Sequence, residues 1–193
     1  MAASSRGRYA RGAERRLALI DSAADLVMEE GLSALSHRAV AARAGLPLAS
    51  TTYYFDSVED LRDEAFAHIA EAWATRAQEV VDAVPPQIDY DVAARAVISI
   101  IGVDALSQQV LVMYERYLEA GRHDRLRAVV AAWNAQLREL VAQVLLRAGI
   151  PLEDERADLV LALADGVAVT ALAEGTSPDA AVGAALKRFL PLL

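Results

Sequence analysis

Apolar residues recur at spacings of three and four along almost the whole chain, and nowhere do they alternate with a period of two for long enough to make a strand. The pattern predicts an all-α protein of about nine helices. Leu17, Ile20, Ala24, Val27 and Met28 mark one face of a first helix that ends at Gly31, where a left-handed cap is expected. Ser36 is placed to N-cap a short helix through Arg43. Gly45 breaks that segment, and Pro47 suits the first turn of a third helix running to about Tyr54. Ser57 followed by Asp60 reads as a capping box, and Glu59 and Asp60 favour the dipole of the long fourth helix they open. That helix reaches about Val81 and is stopped by Pro85 and Pro86.

Beyond the prolines the spacing predicts helices over 91–101, 106–120, 124–148, 153–174 and 178–190. Gly149 with Pro151, Gly175, and Ser177 before Pro178 supply their boundaries. The expected organisation is an N-terminal arm and three-helix helix-turn-helix domain over 1–56, a connecting helix over 57–84, and a C-terminal helical bundle over 85–193. No internal repeat is visible.

Charge alters this picture in one place. The formal net charge is −8, yet Arg6, Arg8, Arg11, Arg15 and Arg16 against Glu14 give the first sixteen residues +4. The remainder therefore carries −12. Such a basic end can bind phosphate by releasing counterions, while the acidic body steers the approach; a solvated tail explains the run equally well. The chain has no cysteine, which excludes disulfides and thiolate metal sites and suits a reducing compartment. No secretion-type apolar stretch opens the chain, and no run approaches the roughly 20 apolar residues of a membrane span. A cytoplasmic protein without a membrane partner is expected.

The stretch Ser36 to Leu61, SHRAVAARAGLPLASTTYYFDSVEDL, sets two short helices around a glycine turn and then caps a long one. In this grammar the first short helix lies across the phosphate backbone and the second enters the major groove. Small Ala41 and Ala44 allow close crossing, Val40 and Leu46 fill the space between the helices, and Phe55 is expected in the core. Within it, AARAGLPLASTTYYFDSVEDL resembles the signature of the tetracycline-repressor-like (TetR) family of regulators. The resemblance covers about Leu17 to Leu61 at motif level; in the C-terminal half only helix number and length are similar. It implies that Ser36, His37 and Arg38 face phosphates. Leu48, Ala49, Ser50, Thr52, Tyr53 and Tyr54 would form the groove-facing surface. The chemistry is compatible: hydroxyls reach base edges or phosphates, and apolar Leu48 and Ala49 suit thymine methyl groups. Many relatives carry lysine where Val58 stands and a serine cap where Pro47 stands. The first departure shifts phosphate binding toward Arg6, Arg8 and Arg11, which can also reach an adjacent minor groove.

Catalysis finds little support. His37, His68 and His123 are widely separated, and no phosphate loop, nucleophile elbow or dinucleotide fingerprint is present. No catalytic residue, metal or cofactor is predicted. Met113, Tyr114, Tyr117, Trp133 and Leu137 offer large apolar and aromatic surfaces on two neighbouring helices, with Glu115, Asn134 and Gln136 as possible polar anchors. Core packing accounts for any one of them, but the resemblance implies a cavity for a small, largely apolar effector. The segment ERADLVLALADGVAVTALAEG is apolar nearly all round and needs a covering partner. The resemblance implies a homodimer through this helix and the last, using Leu159, Ala162, Leu163, Gly166, Val167, Thr170, Val182, Leu186 and Phe189; burial within one chain is the alternative. The implied function is that of a repressor on a palindromic double-stranded operator. A helical scaffold with a vestigial DNA motif and an all-helical enzyme are the rival readings.

Overall fold

The computed structural model describes residues 2–104, 107–151 and 155–193, and of residues 2–11, 107 and 108 the backbone alone. Among the described residues there are nine α-helices and no strand: α1 (Ala2–Glu30), α2 (His37–Arg43), α3 (Leu48–Tyr54), α4 (Val58–Ala83), α5 (Tyr90–Ile101), α6 (Ser107–Arg122), α7 (Asp124–Arg147), α8 (Arg156–Ala173) and α9 (Pro178–Phe189). Short 3-10 turns follow α1 and α9. The helix starts expected at Leu106 and Glu153 lie outside the described residues. The chain divides into two compact units, Met1–Ile69 and Ala70–Leu193. The helix expected to connect two modules over 57–84 thus belongs half to each unit.

In the first unit, α1 continues without a break from the arginine run into the apolar stretch. Its buried face is Leu19, Ile20, Ala23, Ala24, Leu26 and Val27, so the expected stripe needs correction: Leu17 is half exposed and Met28 only partly covered. Ser22 donates back to the Ala18 carbonyl, as a mid-helix hydroxyl does on a face turned away from apolar packing. Gly31 ends the helix with φ 85 but with ψ 170, an extended rather than left-handed helical conformation.

The turn between α2 and α3 shows how sequence sets geometry. Ser36 Oγ accepts from the Ala39 amide at 3.2 Å, satisfying one of the unpaired donors that open α2. At the other end Gly45 takes φ 64, its amide donates to Ala42, and the Leu46 amide reaches back to Ala41. These paired bonds form a Schellman cap, which reverses the chain within two residues. Pro47 then stands at the N-cap of α3 rather than inside its first turn, its carbonyl accepting from the Ser50 amide at 2.8 Å. Ser57 Oγ accepts from the Asp60 amide at 3.0 Å and opens α4.

In the second unit, α5 packs on α7 and α9, α6 on α7, and α8 on α7 and α9. Val97, Ile101, Leu140, Leu145, Val160, Leu186 and Leu190 are wholly or almost wholly buried there. Pro85 and Pro86 leave the last carbonyls of α4 without helical donors. The Arg147 guanidinium supplies them, bonding the Val84 carbonyl at 2.9 Å and that of Val81. On α8 only one stripe, Ala157, Val160, Ala164, Ala168 and Ala171, is buried; Leu159, Ala162, Gly166, Val169 and Thr170 are exposed, and Leu163 and Val167 half-buried. Val182 and Leu186 of α9 are fully buried in their own chain, which removes both from any interface surface; the side chains point inward because they complete the α5–α9 core. Among the described residues no helix is long and apolar enough to cross a membrane.

Gly45 has open space around the position of a Cβ, so an added methyl group meets only the backbone penalty of positive φ. Gly45→Ala is expected to lower unfolding free energy by roughly 1 kcal/mol, read as a shift of urea midpoint at constant m-value.

Candidate nucleic-acid interface and ligand site

Helix α3 has two unlike faces. Thr51 is fully buried and Phe55, which ends the helix, is 3 % exposed, whereas Leu48 is half exposed and Tyr53 is 80 % exposed. The Thr51 hydroxyl donates to the Leu48 carbonyl at 2.7 Å, so its burial leaves no orphaned polar group. Ala49 and Thr52 are exposed and Ser50 partly so. Tyr54 is half-buried; its ring meets that of Tyr53 edge-on at 4.9 Å, and its hydroxyl lies beside Gly12 of α1. The Arg16 guanidinium sits 5.4 Å from the centre of the Phe55 ring and reaches Glu64 at 2.6 Å, joining α1 to the end of α3 and to α4.

Of the residues expected to face phosphates, Arg38 is exposed, and Ser36 and His37 are partly covered. Ser36 already spends its oxygen on the cap, and His37 Nδ1 is buried without a partner. The side chains of Arg6, Arg8 and Arg11 lie outside the described residues. The outward set therefore consists of Arg38, Leu48, Ala49, Thr52 and Tyr53, with Ser50 and Tyr54 at its margin. The remaining histidines have acidic neighbours: His68 Nε2 lies 3.0 Å from Asp21 and His123 Nε2 lies 3.3 Å from Glu119.

A second polar constellation lies inside the Ala70–Leu193 unit. Arg116, on the inward face of α6, is only 4 % exposed. Its guanidinium carbon stands 5.3 Å from the Trp133 ring centre, 5.4 Å from Tyr117 and 5.8 Å from Trp73. The Tyr117 hydroxyl donates to Asn134 Oδ1 at 2.8 Å, and the Tyr114 hydroxyl donates to Asp165 Oδ1 at 3.1 Å. The two tyrosine rings stack at 6.2 Å. A cleft lined by Trp73, Arg76, Ser99, Ile100, Gly102 and Gln109 opens on the Trp73 ring. All five residues expected to form a sensor belong to this neighbourhood: Tyr114, Tyr117 and Trp133 touch the cluster directly, and Met113 and Leu137 lie in the adjoining core. Of the expected anchors, Asn134 is engaged, Glu115 has a buried carboxylate oxygen without a partner, and Gln136 is exposed.

Burial governs the protonation of this cluster. Desolvation lowers the pKa of Arg116 against the opposing pull of Tyr117 and Asp165. Burial likewise raises both Tyr114 and Tyr117, with Asp165 adding to each. Asp165 itself is raised by burial, an effect that the Tyr114 hydrogen bond and Arg116 oppose without cancelling. Sequence reasoning missed Arg116, Trp73 and Asp165. Arg116 follows Met113 by three residues and precedes Ala120 by four, so a charge on the apolar stripe of α6 was the available signal.

Comparison with known proteins identifies the family. Residues 19–65 match the model for bacterial regulatory proteins of the tetR family, and residues 89–192 match that for the tetracyclin repressor-like C-terminal domain. The chain is similar to a TetR-family member from Streptomyces coelicolor A3, with 33 % identity, TM-score 0.67, and coverage of 91 % of this chain and 97 % of the other. It is similar to the multidrug binding protein EbrR solved with proflavin, with 32 % identity, TM-score 0.67, and coverage of 90 % and 98 %. A protein from Saccharomonospora viridis, solved with choline, shares the fold at TM-score 0.75 with 18 % identity, over 93 % and 96 % of the two chains. No protein of curated function matches.

Because the fold favours protonated Asp165, this group contributes stability at low pH that is lost as pH rises through its raised pKa. Asparagine keeps an acceptor for Tyr114 and cannot ionise. Asp165→Asn is therefore expected to melt at or above the wild-type temperature at pH 7, the gap closing as pH falls toward the ordinary carboxylate range. Melting followed by circular dichroism across that range checks this; a variant that melts lower at pH 7 contradicts it.

Proposed function

Since the chain belongs to the TetR family of bacterial regulators, we propose that it is a cytoplasmic repressor, and not an enzyme, released from a palindromic double-stranded operator by a small, largely apolar effector. The observation that carries the DNA-binding half is the division of α3: a buried Thr51–Phe55 side holds it, and Leu48, Ala49, Thr52 and Tyr53 stand free on the other. Helices held in this way enter a major groove by their N-terminal side chains. Arg38, together with Ser36 and His37 at the start of α2, would meet phosphates. Arg6, Arg8 and Arg11 continue the contact along the backbone or into an adjacent minor groove. Ser50 and Tyr54 complete the groove-facing set.

A palindromic operator needs two such helices about 34 Å apart, hence a homodimer. The exposed stripe of α8 supports a two-fold interface through Leu159, Ala162, Leu163, Gly166, Val167 and Thr170, with Phe189 of α9 at its edge. Small Ala162 and Gly166 permit close helix approach, and the apolar stripe gains from leaving water.

The effector reading rests on the aromatic cluster around Arg116, and on the relative EbrR solved with the aromatic ligand proflavin. Trp73 lies on α4, whose N-terminal half carries Leu61, Ala65 and Phe66 of the first core. An effector that prefers another placement of Trp73 would act on the DNA-binding helices through this one continuous helix, to the extent of its differential affinity.

Binding to DNA flanking its own gene, followed by fluorescence anisotropy over a salt series, tests the reading. Tyr53→Ala and Arg38→Ala should each weaken binding several-fold or more. Deletion of residues 1–11 should flatten the log–log salt slope by roughly 2 to 3 for three lost phosphate contacts. An unchanged slope contradicts the role of the arginine run, and failure to bind any flanking DNA contradicts the regulator reading.

A further inference from the structure

Arg116 is held in an unusual state for a cation. It is 4 % exposed, among the described residues no carboxylate forms a salt bridge with it, and its Nε and Nη2 are buried without a hydrogen-bond partner. The surrounding rings compensate only in part, because a cation over an aromatic face recovers little of the hydration it has lost. Leaving donors of a charged group unmet in a low-dielectric interior is costly, so native structures reserve such groups for a partner.

The identity of the unmet atoms is informative. Nε–H and Nη2–H lie along one edge of the planar guanidinium and form the fork that donates to the two oxygens of one carboxylate. Trp133 Nε1, on a ring 5.3 Å from the guanidinium carbon, is a further buried donor without a partner. Three N–H donors with nothing to accept them call for a ligand rich in acceptors, and the charge among them calls for an anion. Around them stand Trp73, Trp133, Tyr117 and the apolar Met113 and Leu137, which suit a hydrophobic body.

We infer that the effector is a carboxylic acid with an apolar body, its carboxylate gripped side-on by Nε and Nη2 of Arg116 with Trp133 Nε1 as an additional donor. This rests on the reading of the second unit as a sensor and narrows its ligand from apolar to amphipathic and anionic. Tyr114 and Asn134 remain satisfied by their present bonds and need not move.

The chain has two tryptophans, Trp73 and Trp133, and both flank Arg116, so tryptophan emission excited beyond the tyrosine band reports on this neighbourhood. Titration of the DNA-free protein with octanoate, octanamide and octylamine compares an anion, a neutral isostere and a cation on one hydrocarbon tail. Octanoate is expected to perturb the emission and to bind about tenfold or more tightly than octanamide, as for hydrogen bonds to a charged group. Octylamine is expected to be weakest. Arg116→Gln should erase the preference for octanoate over octanamide, and Arg116→Lys, which keeps the charge without the fork, should fall between. Equal or tighter binding of octanamide or octylamine, a preference that survives in Arg116→Gln, or no response to octanoate overturns the inference. If Arg116→Gln does not fold, the three-ligand comparison on the wild-type protein decides. Because the titration contains no DNA, its failure leaves operator binding untouched, and an absence of operator binding leaves the carboxylate result standing.

Discussion

A helix of seven residues cannot hold its own shape in water, since nucleating a helical turn costs more than so few hydrogen bonds return. Everything proposed for the outer face of α3 therefore depends on its inner face, where Thr51 is fully buried and Phe55 closes the helix against the core. The arrangement is reinforced from three directions: the Schellman turn at Gly45 fixes the entry angle, the cap at Ser57 fixes the exit, and Arg16 lies over the Phe55 ring while reaching Glu64. Exposed Tyr53 is affordable in this setting because the opposite side already buries what the helix needs. The same logic explains why a short rod can present rigid side chains to a duplex.

The second unit solves a different problem. Its aliphatic core would be complete without a charge, yet α6 places Arg116 where aromatic rings surround it. Buried charge of this kind lowers stability, and the raised pKa of Asp165 is a second sign of the same strain. A bundle optimised only for stability would have leucine or methionine at this position. The polar groups gather where α4, α6, α7 and α8 each contribute one or more members, Trp73, Tyr114 to Tyr117, Trp133 with Asn134, and Asp165.

Much of this was legible in the residue order. Gly45, Ser36 and Ser57 have strong local preferences that no distant contact overrides, so the turn and both caps followed from the sequence alone. The long helices beyond Pro86 likewise began and ended close to their glycine and proline signals. What escaped was direction. Leu17 stands at a helical spacing from Ile20, but the buried side takes in Leu19, Ala23 and Leu26 beside the expected Ile20, Ala24 and Val27, and apolar spacing in so alanine-rich a stretch does not choose between Leu17 and Leu19. Val182 and Leu186 were legible as apolar, yet whether they meet their own chain or a second copy depends on α5, which no local rule places. Arg116 escaped because long charged side chains usually reach solvent from a buried stem, and only packing shows that this one does not.

Helix α4 carries Leu61, Ala65 and Phe66 for one core and Trp73, Ala77 and Val81 for the other. Residues in a helix advance by about 100° each, so one amino acid gained or lost between Ile69 and Trp73 would swing one set of anchors a quarter-turn or more away from the other. These few positions of α4 behave like the teeth of a gear, fixed in number though free in kind. Drift in this stretch can therefore alter chemistry but not count, and relatives with very different ligands are expected to keep the same spacing from Phe66 to the residue aligned with Trp73.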